Sequence, residues 1–185
     1  MEALLKDRRY TYADYAKLNT EDRYELIDGM PYMMSPSPTW IHQAISSSLH
    51  REIANFLKGK TCRIFAAPFD VRLNAGDGHD TVVQPDLVVI CDRSKLSDTG
   101  YGGAPDLVIE ILSQSSAGRD KVLKFNQYLK AGVREYWIVD PDSKTVTVNI
   151  LDNGRYYTTA YAETDTLPVN VLEGCVINLA DVFAE

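Results

Sequence analysis

Two nearly identical runs, Pro85-Asp86-Leu87-Val88-Val89-Ile90 and Pro105-Asp106-Leu107-Val108-Ile109-Glu110-Ile111-Leu112, constrain the fold of this 185-residue chain more than any other feature. Both are too continuously apolar for a sheet face open to water, so each is expected to be a central strand covered on both sides. Both also carry acids, and an unpaired carboxylate in an apolar interior costs roughly several kcal/mol of desolvation. Asp106 stands at the start of its run, where a Pro-Asp pair can cap or turn the chain. Glu110 sits deep inside its run and admits two readings. It is half of a buried ion pair with an arginine or lysine, or it joins Asp86 as a hard-oxygen seat for magnesium.

The remaining elements place these strands in an α/β setting. Thr11 to Leu18 reads as a short helix capped by Thr11, with Tyr12, Tyr15 and Leu18 along one face. Arg23 to Met34 reads as a hairpin around Asp28-Gly29, with Glu25 just before the turn. Ser37-Pro38 starts a long helix that carries an apolar stripe of Ile41, Ile45, Leu49, Ile53 and Phe56 as far as Gly59. An antiparallel strand pair is expected between Thr61 and Leu73, followed by a turn-rich stretch from Asn74 to Asp80. After Glu110, an amphipathic helix over Ala117 to Ala131 turns Val122, Phe125, Tyr128 and Leu129 inward and stops at Gly132. Glu135 to Val139 is a further strand; Thr145 to Leu151 and Arg155 to Ala162 form a hairpin about Asp152-Asn153-Gly154, and a last strand near Cys175 to Asn178 extends the sheet. This order implies a mixed central β-sheet flanked by helices, with added β-hairpins.

Composition bounds the rest. With 45% hydrophobic and 24% charged residues the chain is expected to be one domain over residues 1–185. Its longest apolar runs fall far short of the ~18 residues that would cross a bilayer. The N-terminus, MEALLKDRRY, is too charged for a signal peptide, so a cytoplasmic protein without membrane partners is expected. Cys62, Cys91 and Cys175 are odd in number and widely spaced, which reads as three buried thiols. The net charge of -7 weighs against a protein that grips a phosphate backbone, unless a local basic face offsets it.

Several segments together resemble the Uma2 family, also called DUF820, within the PD-(D/E)xK nuclease superfamily. They are Tyr24-Glu25-Leu26-Ile27-Asp28-Gly29, His42-Gln43, Gln84-Pro85-Asp86-Leu87, Ala104 to Ser113, Arg119-Asp120 with Lys124, and Ala131 to Trp137 leading to Val139-Asp140-Pro141. The resemblance spans nearly the whole chain and implies a restriction-endonuclease-like core. In that core Asp86 supplies the superfamily's aspartate and Glu110 its (D/E) position on the next strand. The simple motif places lysine two residues after the acid, and here Leu112 stands there. Lys124, on the following helix, is the replacement the family pattern favours, with Lys121 as a competitor. Glu25 and His42 are further candidates in the N-terminal segments, Glu25 also as a second metal ligand, and Gln84 is a candidate to orient a metal-bound water.

The implied activity is that of a metal-dependent endonuclease hydrolysing phosphodiester bonds in DNA. Mg2+, with Mn2+ as a substitute, would sit on Asp86 and Glu110, and Lys124 would assist the water or the transition state. The competing readings are a nuclease-fold module that no longer cuts and binds nucleic acid or a protein partner, and a carboxylate-based hydrolase with another substrate. A homodimer is expected by analogy with nucleases that break both strands of a duplex.

Overall fold

The computed structural model describes residues 8–17, 23–34, 37–74, 80–113 and 119–184, with the backbone alone at 119–121. Thr11 opens α1 (Tyr12–Tyr15) with a capping box: its hydroxyl accepts from the Asp14 N–H while the Asp14 carboxylate accepts from the Thr11 N–H. The expected helix end at Leu18 lies outside the described residues, as do most of the Asn74 to Asp80 turn, the helix start at Ala117 and the Lys121 side chain. Asp28 and Gly29 hold φ of 49° and 76°, which reverses the chain between β1 (Tyr24–Ile27) and β2 (Met30–Met33).

Thr39, not Ser37, caps α2 (Trp40–Leu57), its hydroxyl accepting from the His42 N–H. The buried stripe of this helix is His42, Ile45, Leu49, Ile53 and Leu57, so the face expected to begin at Ile41 begins one residue later and Ile41 is exposed. A polar residue therefore occupies the first inward position, which an apolar pattern cannot flag.

The expected strand pair over Thr61 to Leu73 divides between two sheets. β3 (Arg63–Ala66) and β4 (Val71–Arg72) do not pair with each other. β5 (Val82–Val83), β6 (Leu87–Ile90), β7 (Leu96–Ser97), β8 (Gly100–Gly102) and β9 (Leu107–Ile111) follow, then α3 (Arg119–Ala131). The chain ends with β10 (Glu135–Asp140), β11 (Thr145–Asp152), β12 (Arg155–Ala162), β13 (Thr166–Pro168), β14 (Val176–Asn178) and α4 (Leu179–Phe183). One mixed six-stranded sheet runs β2-β1-β5-β4-β8-β7 and the other β12-β11-β10-β9-β6-β3. The single mixed sheet expected from the element order is thus the second of two. The last strand does not extend it, because β14 pairs with β13 in a separate ladder.

β6 and β9 are adjacent and antiparallel inside the second sheet, as their apolar runs require. Leu87, Val89, Leu107, Ile109 and Ile111 pack one face of it against α2 and the C-terminal segment. Val88, Ile90 and Val108 pack the other face against Tyr128 and Val133, with Val71, Val83 and Tyr101 from the first sheet. α3 stops where Gly132, at φ 84°, returns its N–H and that of Val133 to the Tyr128 carbonyl. Phe125 and Tyr128 face inward as expected, whereas Val122 is exposed.

The expectation of three thiols needs correction. Arg63 pairs with Ile90, and the same register carried one residue outward puts Cys62 opposite Cys91. The two form a disulfide, and only Cys175 is a free, buried thiol. Strand register, which spacing along the chain does not reveal, brings the two sulfurs together. No helix among the described residues is long and apolar enough to cross a membrane.

Candidate active site

Asp86 and Glu110 meet because of strand register. Leu87 pairs with Ile109, and the next step places Asp86 opposite Glu110 with side chains on the same sheet face. Asp86 Oδ2 accepts from the Ile111 N–H at 2.7 Å and lies 3.2 Å from His42 Nε2, delivered by the first turn of α2. Glu110 Oε1 accepts from the Tyr128 hydroxyl at 2.6 Å and from Lys124 Nζ at 3.0 Å, both on α3. Lys124 also reaches Glu25 Oε1 on β1 at 2.9 Å, and that oxygen accepts from the Gln84 N–H at 2.8 Å. Four elements and the segment before β6 therefore converge on one cluster.

All the side chains in it are largely shielded from solvent. Those of Glu25 and His42 are 9% exposed, Lys124 13%, Glu110 14% and Asp86 21%. Desolvation pushes the Glu110 carboxyl up to about 7; the Lys124 charge opposes this, and the neighbouring Asp86 and Glu25 charges add to it. Burial works to lower the basicity of Lys124, but the two glutamates overcome it and hold the ammonium charged far above neutrality. Desolvation likewise disfavours charge on His42, yet its hydrogen bond and ion pair with Asp86 prevail and raise its pKa. Burial and the Glu110 charge push the Tyr128 phenol well above its ordinary value, so it stays a donor.

The buried ion pair expected as the ordinary explanation of Glu110 is present, and its cation is the same Lys124 that the family resemblance favours. Lys124 is not an exposed helix charge. Glu25, expected to sit at a solvated turn or in the site, is buried in the cluster. Gln84 turns its side chain elsewhere, donating to Asp70 at 2.7 Å and to the Tyr15 hydroxyl at 3.2 Å while its carbonyl accepts from Arg23. Its link to the cluster is its backbone N–H. Asp106 acts locally, accepting from the Cys91 N–H and pairing with Arg134.

The family model Uma2, described as "Putative restriction endonuclease", matches residues 10–180. The chain belongs to the Uma2 family. It is similar to a protein of Anabaena variabilis, described from its crystal structure as a "putative nuclease belonging to DUF820". The two are 27% identical, with 94% of this chain and 97% of that chain covered and a TM-score of 0.76. An uncharacterized protein of Synechocystis sp., slr1290, is 27% identical over 150 residues, covering 79% of this chain and 76% of the relative. The expected family and its nuclease-like mixed α/β fold are borne out.

Within this Uma2 chain, two partners of the carboxylates escaped the sequence reading. Tyr128 was assigned only to the inner face of α3, yet its hydroxyl is one of two donors to Glu110. Its spacing of four residues from Lys124 puts both on one face of the helix. The Ile111 N–H that holds Asp86 carries no signal in side-chain identity, because it is a backbone group.

Proposed function

We propose that this Uma2 protein is a metal-dependent endonuclease that hydrolyses phosphodiester bonds in DNA, with Asp86 and Glu110 binding Mg2+ and Lys124 acting on the transition state. The observation that carries the reading is a charge imbalance. With Glu110 ionised, Asp86, Glu110 and Glu25 bring three negative charges against Lys124, and a protonated His42 offsets one more, which leaves an excess of at least one. Burial makes that excess costly, and a divalent cation cancels it.

The donor set fits magnesium. Asp86 Oδ1 and Glu110 Oε2 have no hydrogen bond or ion pair among the described residues, while their other oxygens are fixed by donors. Among the described residues no three His, Cys, Asp or Glu side chains make a ready-made metal cage. Magnesium is commonly held by one or two carboxylates and keeps several waters, leaving room for a substrate phosphate. Bound there, it would polarise the scissile phosphate and lower the pKa of a water.

The chain's own groups then have distinct tasks. Ile111 N–H and His42 hold Asp86 in one orientation, and Tyr128 does the same for Glu110. Lys124 stays protonated at neutral pH, so it cannot take a proton from water; its ammonium stabilises negative charge developing on the phosphate. Glu25 keeps that ammonium in place and is the candidate for a second metal. The competing reading, a module that binds without cutting, is favoured by the engagement of Lys124 with two glutamates and by the net charge of -7.

Cleavage of supercoiled plasmid in Mg2+ or Mn2+ tests the proposal. Asp86→Ala and Glu110→Ala should each lose on the order of 10²-fold or more in rate with unchanged circular dichroism. Undiminished metal-dependent cleavage in either variant overturns the assignment. DNA binding without cleavage by the wild-type chain supports the competing reading.

A further inference from the structure

Four strands form the outer edges of the two large sheets, and three of them are blunted. β2 has four residues and contains Pro31, β7 has two, and β3 has four and opens on Arg63. Such shortness, proline and charge are the usual guards against edge-to-edge pairing. β12 is neither short nor broken by proline, and its one charge is Arg155 at its first residue. It is eight residues long, pairs with β11 in unbroken register, and holds no proline, lysine or acid. Arg155, Tyr157, Thr158, Thr159, Ala160 and Ala162 are all exposed along it.

The hairpin turn fixes which backbone groups face outward. Asn153 and Gly154 form a two-residue connection with φ of 48° and 76°, so Arg155, Tyr157, Thr159 and Tyr161 bond to β11. Tyr156, Thr158, Ala160 and Ala162 point their N–H and C=O groups away from it. Ala162 shows this directly: its N–H donates to the Asp165 carboxylate and its C=O accepts from the Asp165 N–H. That end of the edge is closed. What is left open is symmetric, with Tyr156 and Ala160 flanking Thr158.

We propose that β12 pairs antiparallel with β12 of a second copy of this chain, about a two-fold axis at Thr158. In this register Thr158 faces Thr158 of the partner subunit and Tyr156 faces Ala160 of the partner subunit, so every outward N–H and C=O left open is satisfied. The side chains agree with it. Tyr157 falls opposite Thr159 of the partner subunit, and Arg155 falls opposite Tyr161 of the partner subunit, which sets a cation beside an aromatic ring at both ends. A second copy is the occupant because β12 itself carries both members of the end pairs, Arg155 and Tyr161, at the positions this register brings together.

Size-exclusion chromatography with light scattering tests this on the full chain, with an expected mass of twice 20.7 kDa. Y157K/T159K puts like charges opposite each other on both sides of the axis and should weaken the dimer about tenfold or more. Y157E/T159K changes the same two positions but sets opposite charges across the axis, and should remain dimeric. If the double-lysine chain loses its circular dichroism, Ala160→Pro serves in its place, because it removes an outward N–H and no bond to β11; it should be monomeric. A monomeric wild-type chain, or identical masses for the two double variants, overturns the proposal.

Discussion

Exchanging Lys124 for methionine keeps the reach of the side chain and removes the positive charge lying 2.9 Å from Glu25 and 3.0 Å from Glu110. The Lys124 side chain is 13% exposed, so solvent screens little of the interaction and the exposed-pair estimate of under about 1 kcal/mol does not apply. Removing one partner from a buried ionic group costs about 3–5 kcal/mol. With about 2.1 cal/mol/K of unfolding entropy per residue over this chain length, that is a fall in Tm of roughly 8–13 °C, read by calorimetry at pH 7.5. The pH dependence has a definite sign. Burial already raises the Glu110 pKa and loss of the Lys124 charge raises it further, so Glu110 binds more protons when folded and stability declines as pH rises through that interval. The deficit relative to wild type should therefore shrink at pH 5. Mg2+ should also raise the Tm of the variant more than that of wild type, because it meets one more uncompensated negative charge. A fall below about 2 °C at pH 7.5, or an equal deficit at pH 5, refutes the cluster as a charge-compensated unit.

Tyr128→Phe removes the 2.6 Å hydrogen bond to Glu110 and should cost about 1.5–3 kcal/mol while raising the Glu110 pKa, followed by carboxyl carbon NMR; an unmoved titration speaks against that contact. Metal affinity by calorimetry should rise about tenfold per pH unit below neutrality and level off above about 7, where Glu110 is ionised; an affinity constant from pH 5.5 to 8 excludes Glu110 as a ligand. The Cys62–Cys91 bridge closes a sequence separation of 29, so C62S/C91S should lose roughly 3–4 kcal/mol on the chain-entropy estimate, and reductant should lower wild-type Tm in the same direction. A reductant-insensitive Tm counts against the bridge.

The parts of this fold that were legible in the sequence are those where one local rule decides. Asp28-Gly29 and Asn153-Gly154 each dictate a tight reversal, and both hairpins form as read. The continuous apolar runs after Asp86 and Asp106 could only be interior strands, and they are adjacent. Sheet membership was not legible: β3 and β4 are close in sequence and equally strand-like, and only their long-range partners separate them into two sheets. The disulfide is hidden for the same reason. At the site, the buried acids and the family resemblance picked out Asp86, Glu110 and Lys124, the last against the simple motif spacing that falls on Leu112, and the structure brings them together with Glu25 and His42. The groups it could not show are the hydroxyl of Tyr128, whose ring alone satisfied the helix pattern, and the backbone N–H groups of Ile111 and Gln84.

Burial of an acid does not by itself mark a site, and Glu135 shows why. It is fully buried, more so than Glu110, yet both of its oxygens are occupied: Oε1 accepts from Trp137 Nε1 at 2.8 Å and from Asn170 at 3.3 Å, and Oε2 from the Val171 N–H at 2.8 Å. Neutral donors saturate that carboxylate, tying β10 to the C-terminal segment, and no second acid adds to its charge in the contacts of the described residues. Glu110 differs on each count. One of its oxygens shares a lysine with a second glutamate, the other has no donor among the described residues, and Asp86 stands across the strand register. A fold that needed only to bury Glu110 could have satisfied it as it satisfies Glu135. Keeping three acids around one ammonium costs stability, and the cation proposed for the two open oxygens would make that cost useful.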